Sequence, residues 1–443
     1  MTTETSRLME EPNQKEQKRK KEGKHVSFPP DDNIVSGFAE HRNADRTADD
    51  GVTLADVMVA YQQSCSKLQI HPRAGVLQQL QQGVCVGGGV KCLDLKGERL
   101  DQRSCEALEV ILKSLHFDFI NLQAAQLEEN GASSLLDMIL YYESTSHLDI
   151  SDNRSMETPC WRALAHLIKQ SVCLSRLDVC NVPLVDYPGQ VLSRALTTSR
   201  LKVLHLHNAQ LSGVPLFMLV GALKSNKALQ ELHLTNNQLN SYQDALQLGD
   251  LLRYNTTVGT LELSNNPLAD AGLQELCEGL RQQTAGLRVL LLRNTQITAN
   301  GMVHLAKALP GLKVLQILDL SENLLGNKGV QVIKEPLMAN RSVLQLGLAQ
   351  ANMTCEGAVA LAEFLAESRL IQQLDLRDNK VKFGGLMALC LALRINHSLA
   401  NLEVDLISQH EQDEVLMETA TRFHSEINQC CLANARRSPQ TSA

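Results

Sequence analysis

The chain has 443 residues, 44% of them hydrophobic but only 3% aromatic, and a formal net charge of -7. That suffices for a large core built on one repeated aliphatic position rather than on assorted aromatics. No apolar run approaches the ~18 residues of a membrane span and the charged N-terminus lacks the apolar segment of a secretory signal, so a soluble intracellular protein, cytoplasmic or nuclear, is expected.

Residues 1–52 are rich in Glu, Lys, Asp, Asn and Thr and poor in apolar side chains, which leaves them too little surface to bury against the entropy of the chain. They read as a disordered leader. Between Asn13 and Lys24 stand six basic residues against two acidic ones, a local net charge of +4. With no aromatic residues interleaved, this cluster argues for a solvated charge run, steering toward an acidic protein partner or a nuclear localisation signal, and against nucleic acid. Within the leader, Lys24-His25-Val26-Ser27-Phe28 places Val26 and Phe28 on one face of an extended chain and Ser27 on the other. Pro29 and Pro30 stiffen the chain just beyond Phe28, which reduces the ordering entropy lost on docking. A second apolar pair, Ile34-Val35, comes after a short polar spacer.

From Thr53 to Gln82 the apolar residues recur at helical spacing, first through Leu54, Val57, Met58, Tyr61, Cys65 and Leu68, then through Val76, Leu77 and Leu80. This segment, taken as 53–92, is expected to be a helical N-terminal cap on an open-ended repeat core. Over 93–406 the pattern L-x-L-x-x-(N/A/T)-x-L then recurs. Its first apolar residues are Leu93, Ile120, Leu148, Leu177, Leu204, Leu232, Leu261, Leu290, Leu318, Leu346, Leu374 and Leu402, never less than 27 nor more than 29 residues apart. Asn153, Asn237, Asn266, Asn323 and Asn379 mark the clearest copies, and helical spacing fills the intervals between strands, as at Gly272-Leu273, Leu276 and Leu280. Residues 407–443 read as a capping helix over Glu411 to Ala433 followed by a flexible end.

The middle position of each L-x-L triplet points off the sheet, and seven of these twelve positions are acidic: Asp94, Asp149, Asp178, Glu262, Asp319, Asp375 and Glu403. Asp149, Asp178, Glu262, Asp319 and Asp375 are therefore a candidate surface for a basic partner, weighed against an ordinary solvated face. His205 and His233 fall on neighbouring strands beside Glu262, a ligand-type set, but with no cleft or second shell indicated no metal site is assigned. The twelve cysteines include no CxxC pair and read as small core residues. No nucleophile-base set, phosphate loop or cofactor motif is present, and neither enzymatic activity nor a cofactor is expected.

The repeat pattern is that of leucine-rich repeats, and the unit length and the Ala or Thr alternatives at the Asn position resemble the ribonuclease-inhibitor class. The resemblance implies an α/β solenoid, a horseshoe with a parallel sheet on its concave face and helices on its convex face. Lys24, Val26 and Phe28 resemble the short docking motif of regulatory subunits of type-1 serine/threonine protein phosphatase, and Ile34-Val35 resembles the accessory pair found shortly after that motif. Together with the repeats, the chain is similar to leucine-rich-repeat regulatory subunits of that phosphatase. The resemblance implies docking on the catalytic subunit by β-strand addition, with inhibition or redirection of its activity, and Ser27 as a candidate regulatory phosphosite. The alternative is a phosphatase-independent scaffold with a basic protein on its acidic face. No membrane partner is implied. A second match to the docking pattern, Lys380-Val381-Lys382-Phe383, falls in a good repeat copy, where Val381 is expected to be buried and unavailable.

Overall fold

The computed structural model describes residues 53–82, 90–126, 129–283, 285–405 and 414–437. Leucine spacing decides its form. Most of the three-residue strands carry one buried residue between two more exposed ones, and the next apolar residue begins the turn: Leu232 and Leu234, Leu261 and Leu263, and Leu318 and Leu320 are all fully buried. Twelve such strands, from β1 (Val90–Asp94) to β12 (Asn401–Glu403), pair in parallel in chain order within one sheet. Helices alternate with them and pack their leucines against the same core, which gives the leucine-rich-repeat solenoid expected from the sequence.

A parallel strand that turns sharply after three residues leaves backbone groups without sheet partners, and these cannot be left unpaired in an apolar core. The repeat asparagines supply the missing partners. Asn323 is 1% exposed; its amide nitrogen donates to the carbonyls of Leu292 in the preceding repeat (2.7 Å) and Leu320 in its own (2.9 Å). Its carbonyl oxygen accepts the N–H groups of Thr295 and Ile297, each at 3.0 Å. Asn237, Asn266 and Asn379 make the corresponding bonds. The residue just before each asparagine has positive φ, as at Asp152, Asn236, Asn265 and Asp378, and short Asx side chains tolerate that conformation best.

A second set of amides, not anticipated from the sequence, joins the repeats where the helices end. Asn226, Asn255, Gln283, Asn340 and Asn396 are buried, and each donates to a carbonyl at the end of the preceding helix, from 2.6 Å for Asn226 to Leu196 to 3.0 Å for Gln283 to Leu252. Helices also approach closely: a Cβ on Gly279 would stand 2.1 Å from the Gly249 carbonyl oxygen, so α8 (Tyr242–Tyr254) and α9 (Ala269–Leu280) meet backbone to backbone there.

At the N-terminal end, α1 (Leu54–Lys67) begins with a capping box between Thr53 and Asp56 and buries Val57, Tyr61 and Cys65, while α2 (Ala74–Gln82) buries Val76 and Leu80. The last helix, α14 (Glu414–Arg437), runs further than the sequence suggested, because Arg436 and Arg437 extend it as cations in its last turn, where the helix dipole favours them. It buries Ala420, Ile427 and Cys431. Its Asn434 donates to the carbonyls of Asn396 (3.1 Å) and Leu399 (3.0 Å); the first is the counterpart of the Asn226 and Asn255 carbonyls that accept from the next repeat.

Replacing Asn323 with Ala removes partners from five backbone groups at once. We expect a loss of roughly 2–4 kcal/mol in urea denaturation, against less than about 0.5 kcal/mol for an exposed polar residue such as Lys313 changed to Ala.

Candidate partner-binding face

Lys24, Val26, Ser27, Phe28, Ile34 and Val35 lie outside the described residues. The competing match does not. Val381 is 9% exposed, the Lys380 amide donates to the Met353 carbonyl (2.9 Å) in a parallel bridge with Thr354, and Phe383 opens a helix and packs against Phe423 of α14 with ring centroids 5.6 Å apart. That segment is part of the fold and cannot leave it to dock as a strand.

The exposed face of the sheet carries one unbroken row across all twelve strands. Strand register aligns Asp94, Asn121, Asp149, Asp178, His205, His233, Glu262, Leu291, Asp319, Gly347, Asp375 and Glu403 as successive neighbours. Many of the acids have a local task. Asp94, Asp149, Asp319 and Asp375 each accept, through Oδ1, the N–H two residues on, at 2.8 to 3.1 Å, which steadies the chain as it leaves the strand. Asn121 does the same for Gln123 at 3.0 Å.

Charge on the row is largely compensated. Arg377 grips Asp375 with two bonds, Nε to Oδ1 at 3.0 Å and Nη2 to Oδ2 at 2.7 Å, and reaches Glu403 at 2.8 Å. Asp178 accepts from Arg176 at 3.1 Å and pairs with His147 at 2.7 Å and His205 at 3.4 Å. Asp149 and Asp319 make no ion pair among the described residues, so of the five acids proposed as a partner surface they alone present carboxylates without a cation. Among the described residues no helix is long and apolar enough to cross a membrane.

The middle of the row is a histidine cluster on β4 (Arg176–Asp178), β5 (Val203–His205), β6 (Glu231–His233) and β7 (Thr260–Glu262). The His205 and His233 rings lie 4.1 Å apart, and His207, just past β5, stacks on His205 at 5.4 Å. His233 Nδ1 meets Glu262 Oε2 at 2.5 Å and its Nε2 meets Glu231 at 3.5 Å. Burial opposes the charge of Asp178, but hydrogen bonds from His147 and Arg176 hold its carboxyl at about 2. Burial pushes His205 down to about 4 against the pull of Asp178, and lowers His207 as well. Burial works the same way on His233, but the Glu262 carboxylate outweighs it and raises that imidazole; Glu262 is lowered in turn by its bond to His233. Sequence reasoning found His205, His233 and Glu262 but missed His207 and Glu231. Each lies two residues from a member of that set and so on the same face of its strand, which was the available signal.

Sheet order, register and the asparagine bonds are those of a leucine-rich-repeat fold. The family profile described as "Leucine Rich repeat" matches residues 254–277 and 312–334. Among proteins of known sequence, it is 47% identical over 294 residues to human "Protein phosphatase 1 regulatory subunit 37", a match covering 66% of this chain and 42% of that protein. The bovine protein of that name is 46% identical over 288 residues, covering 65% of this chain and 41% of the relative, and a Caenorhabditis elegans homologue is 32% identical over 300 residues, covering 64% and 31%. The chain therefore spans about two-fifths of the length of its mammalian relatives. Their names are those of regulatory subunits, in agreement with the expectation of a non-enzymatic protein. A solved yeast complex, "Crystal structure of Rad7 and Elc1 complex in yeast", shares the fold at 17% identity and a TM-score of 0.52, over 82% of this chain and 87% of that one.

An unfolded histidine binds its proton near 6.5, whereas His205 in the fold binds it only at about 4, so between these values the unfolded chain holds more protons. Stability from this group is therefore full above about pH 6.5 and is lost as the pH falls toward 4. Thermal melts followed by circular dichroism across this range should show the wild type losing Tm more steeply than His205→Gln; parallel curves would refute the assignment.

Proposed function

We propose that the chain is a regulatory subunit that docks on the catalytic subunit of type-1 protein phosphatase through Lys24, Val26 and Phe28 and inhibits or redirects its activity. The observation that carries this is the similarity to proteins named as regulatory subunits of that phosphatase, together with Lys24-His25-Val26-Ser27-Phe28 in the leader. In an added β-strand, Val26 and Phe28 enter adjoining apolar pockets while Ile34 and Val35 lengthen the contact. The lysine cluster upstream raises the encounter rate with an acidic surface. The repeat region then acts as a body held beside the enzyme, able to shield or select what reaches it.

The alternative, a scaffold that binds a basic protein on the row of acids, receives less support. Asp178, Glu262 and Asp375 already have cationic or imidazole partners, which leaves Asp149 and Asp319 for such a ligand.

Each anchor contributes about 1.5–3 kcal/mol, so changing Val26 and Phe28 together to Ala should weaken phosphatase binding at least about 100-fold. Co-precipitation at wild-type level from the double variant would sink the docking assignment. A chain lacking residues 1–50 should behave like the double variant, whereas the scaffold reading requires it to keep its main partner.

Ser27 faces away from the anchors, but a phosphate there adds ~2 negative charges beside an acidic partner surface. In calorimetry, a leader peptide phosphorylated at Ser27 should bind the phosphatase more weakly than the unmodified peptide; equal affinities would exclude Ser27 as a switch.

A further inference from the structure

The part of the sheet that the proposed docking leaves unused is the histidine cluster. We propose that His207, His233 and Glu262 form a binding site for a divalent transition-metal ion, with zinc as the best match.

The donor set is the first reason. One nitrogen from each imidazole and one carboxylate oxygen all lie within 4.8 Å of one another. Two histidines and a carboxylate suit zinc, and three protein ligands leave a position open to water or to a group from outside. Magnesium and calcium favour oxygen donors and would leave both imidazoles idle.

The second reason is an unmet bonding need. His207 Nε2 is buried and has no hydrogen-bond partner among the described residues. A buried ring nitrogen left so carries a desolvation cost that a metal bond would remove. The third reason is an orienting shell. His233 points Nδ1 at Glu262, and Glu231 stands 3.5 Å from the opposite nitrogen. A metal held at Nδ1 would therefore have a carboxylate accepting from Nε2–H, the arrangement that fixes ring orientation and strengthens an imidazole ligand.

The backbone beneath the site is firmly placed. His205 and His233 pair in register, as do His233 and Glu262, and the strand that carries His207 is tied onward by the Asn208 amide donating to the Thr235 carbonyl at 3.0 Å. Donors around a tetrahedral zinc stand about 3.3 Å apart, so closing the set requires His207 to swing toward His233 while Glu262 draws back from its 2.5 Å contact with that ring. The row then explains its own composition: acids run along most of the sheet, and the histidines interrupt them where two carboxylates, Glu231 and Glu262, offset an added positive charge.

The test uses the full chain, freed of metal by a chelator and titrated with Zn2+ in calorimetry and with Co2+ in visible absorption. The expected result is saturable uptake with Co2+ bands of nitrogen and oxygen ligation and no thiolate charge-transfer band. Glu231→Gln should weaken binding about 10–100-fold and His207→Ala or Glu262→Gln by more, with circular dichroism melts confirming that each variant is folded. His205→Gln, on the same strand but outside the set, should keep wild-type affinity. Absence of saturable uptake, thiolate ligation, or affinity that survives His207→Ala in a folded variant would overturn the site, as would a loss confined to His205→Gln.

Discussion

Every repeat of this protein depends on satisfying backbone groups at a turn buried inside the core. The strands are short, the chain must reverse into a helix at once, and the groups exposed by that reversal face leucine rather than water. A single asparagine side chain can donate twice and accept twice, so a repeat that carries one serves its own turn and that of the preceding repeat, which can then carry Ala or Thr there. Stacking and polar satisfaction thus become the same interaction. A repeat cannot complete its turn alone, which is why the unit appears only as an array with 27 to 29 residues between successive copies.

The same constraint governs the ends. Along the helical side, buried amides from Asn226 to Asn396 pair with the preceding helix end, and each leaves a demand that the next repeat must meet. At the last repeat, Asn434 of α14 donates instead to the Asn396 and Leu399 carbonyls just beyond the helix. This helix therefore does more than bury Ile427 and Cys431, because it also supplies a buried amide to backbone carbonyls of the last repeat.

These relations explain what the sequence disclosed. The strand array, its register and the first asparagine set were legible because leucine and asparagine recur at fixed offsets, and burial leaves little else that fits. Asn226 stands six residues ahead of Leu232, and Asn255 six ahead of Leu261, so the second amide set was periodic too; it escaped notice because Ser171 and Gln283 interrupt the pattern. The far end of α14 was misjudged because Arg436 and Arg437 resemble a solvated tail until the helix end they serve is known. His207 was missed for a different reason. It comes after the L-x-L triplet instead of occupying it, so a reading confined to the triplets passed over its two-residue offset from His205, and the strand pairing brings it within reach of His233 and Glu262.

The acidic row changes meaning in the same light. Read from sequence, seven acids on one face suggest repulsion that a basic ligand would relieve. In the structure, Asp149, Asp319 and Asp375 use one oxygen to hold the turn, and Arg176, Arg377 and the histidines interleave with the others. Acid at the middle position thus often serves the turn of its own repeat, as the asparagine four residues beyond it does. A face whose charges serve the fold has few left for affinity. The proposed recognition through Val26 and Phe28 asks nothing of that row.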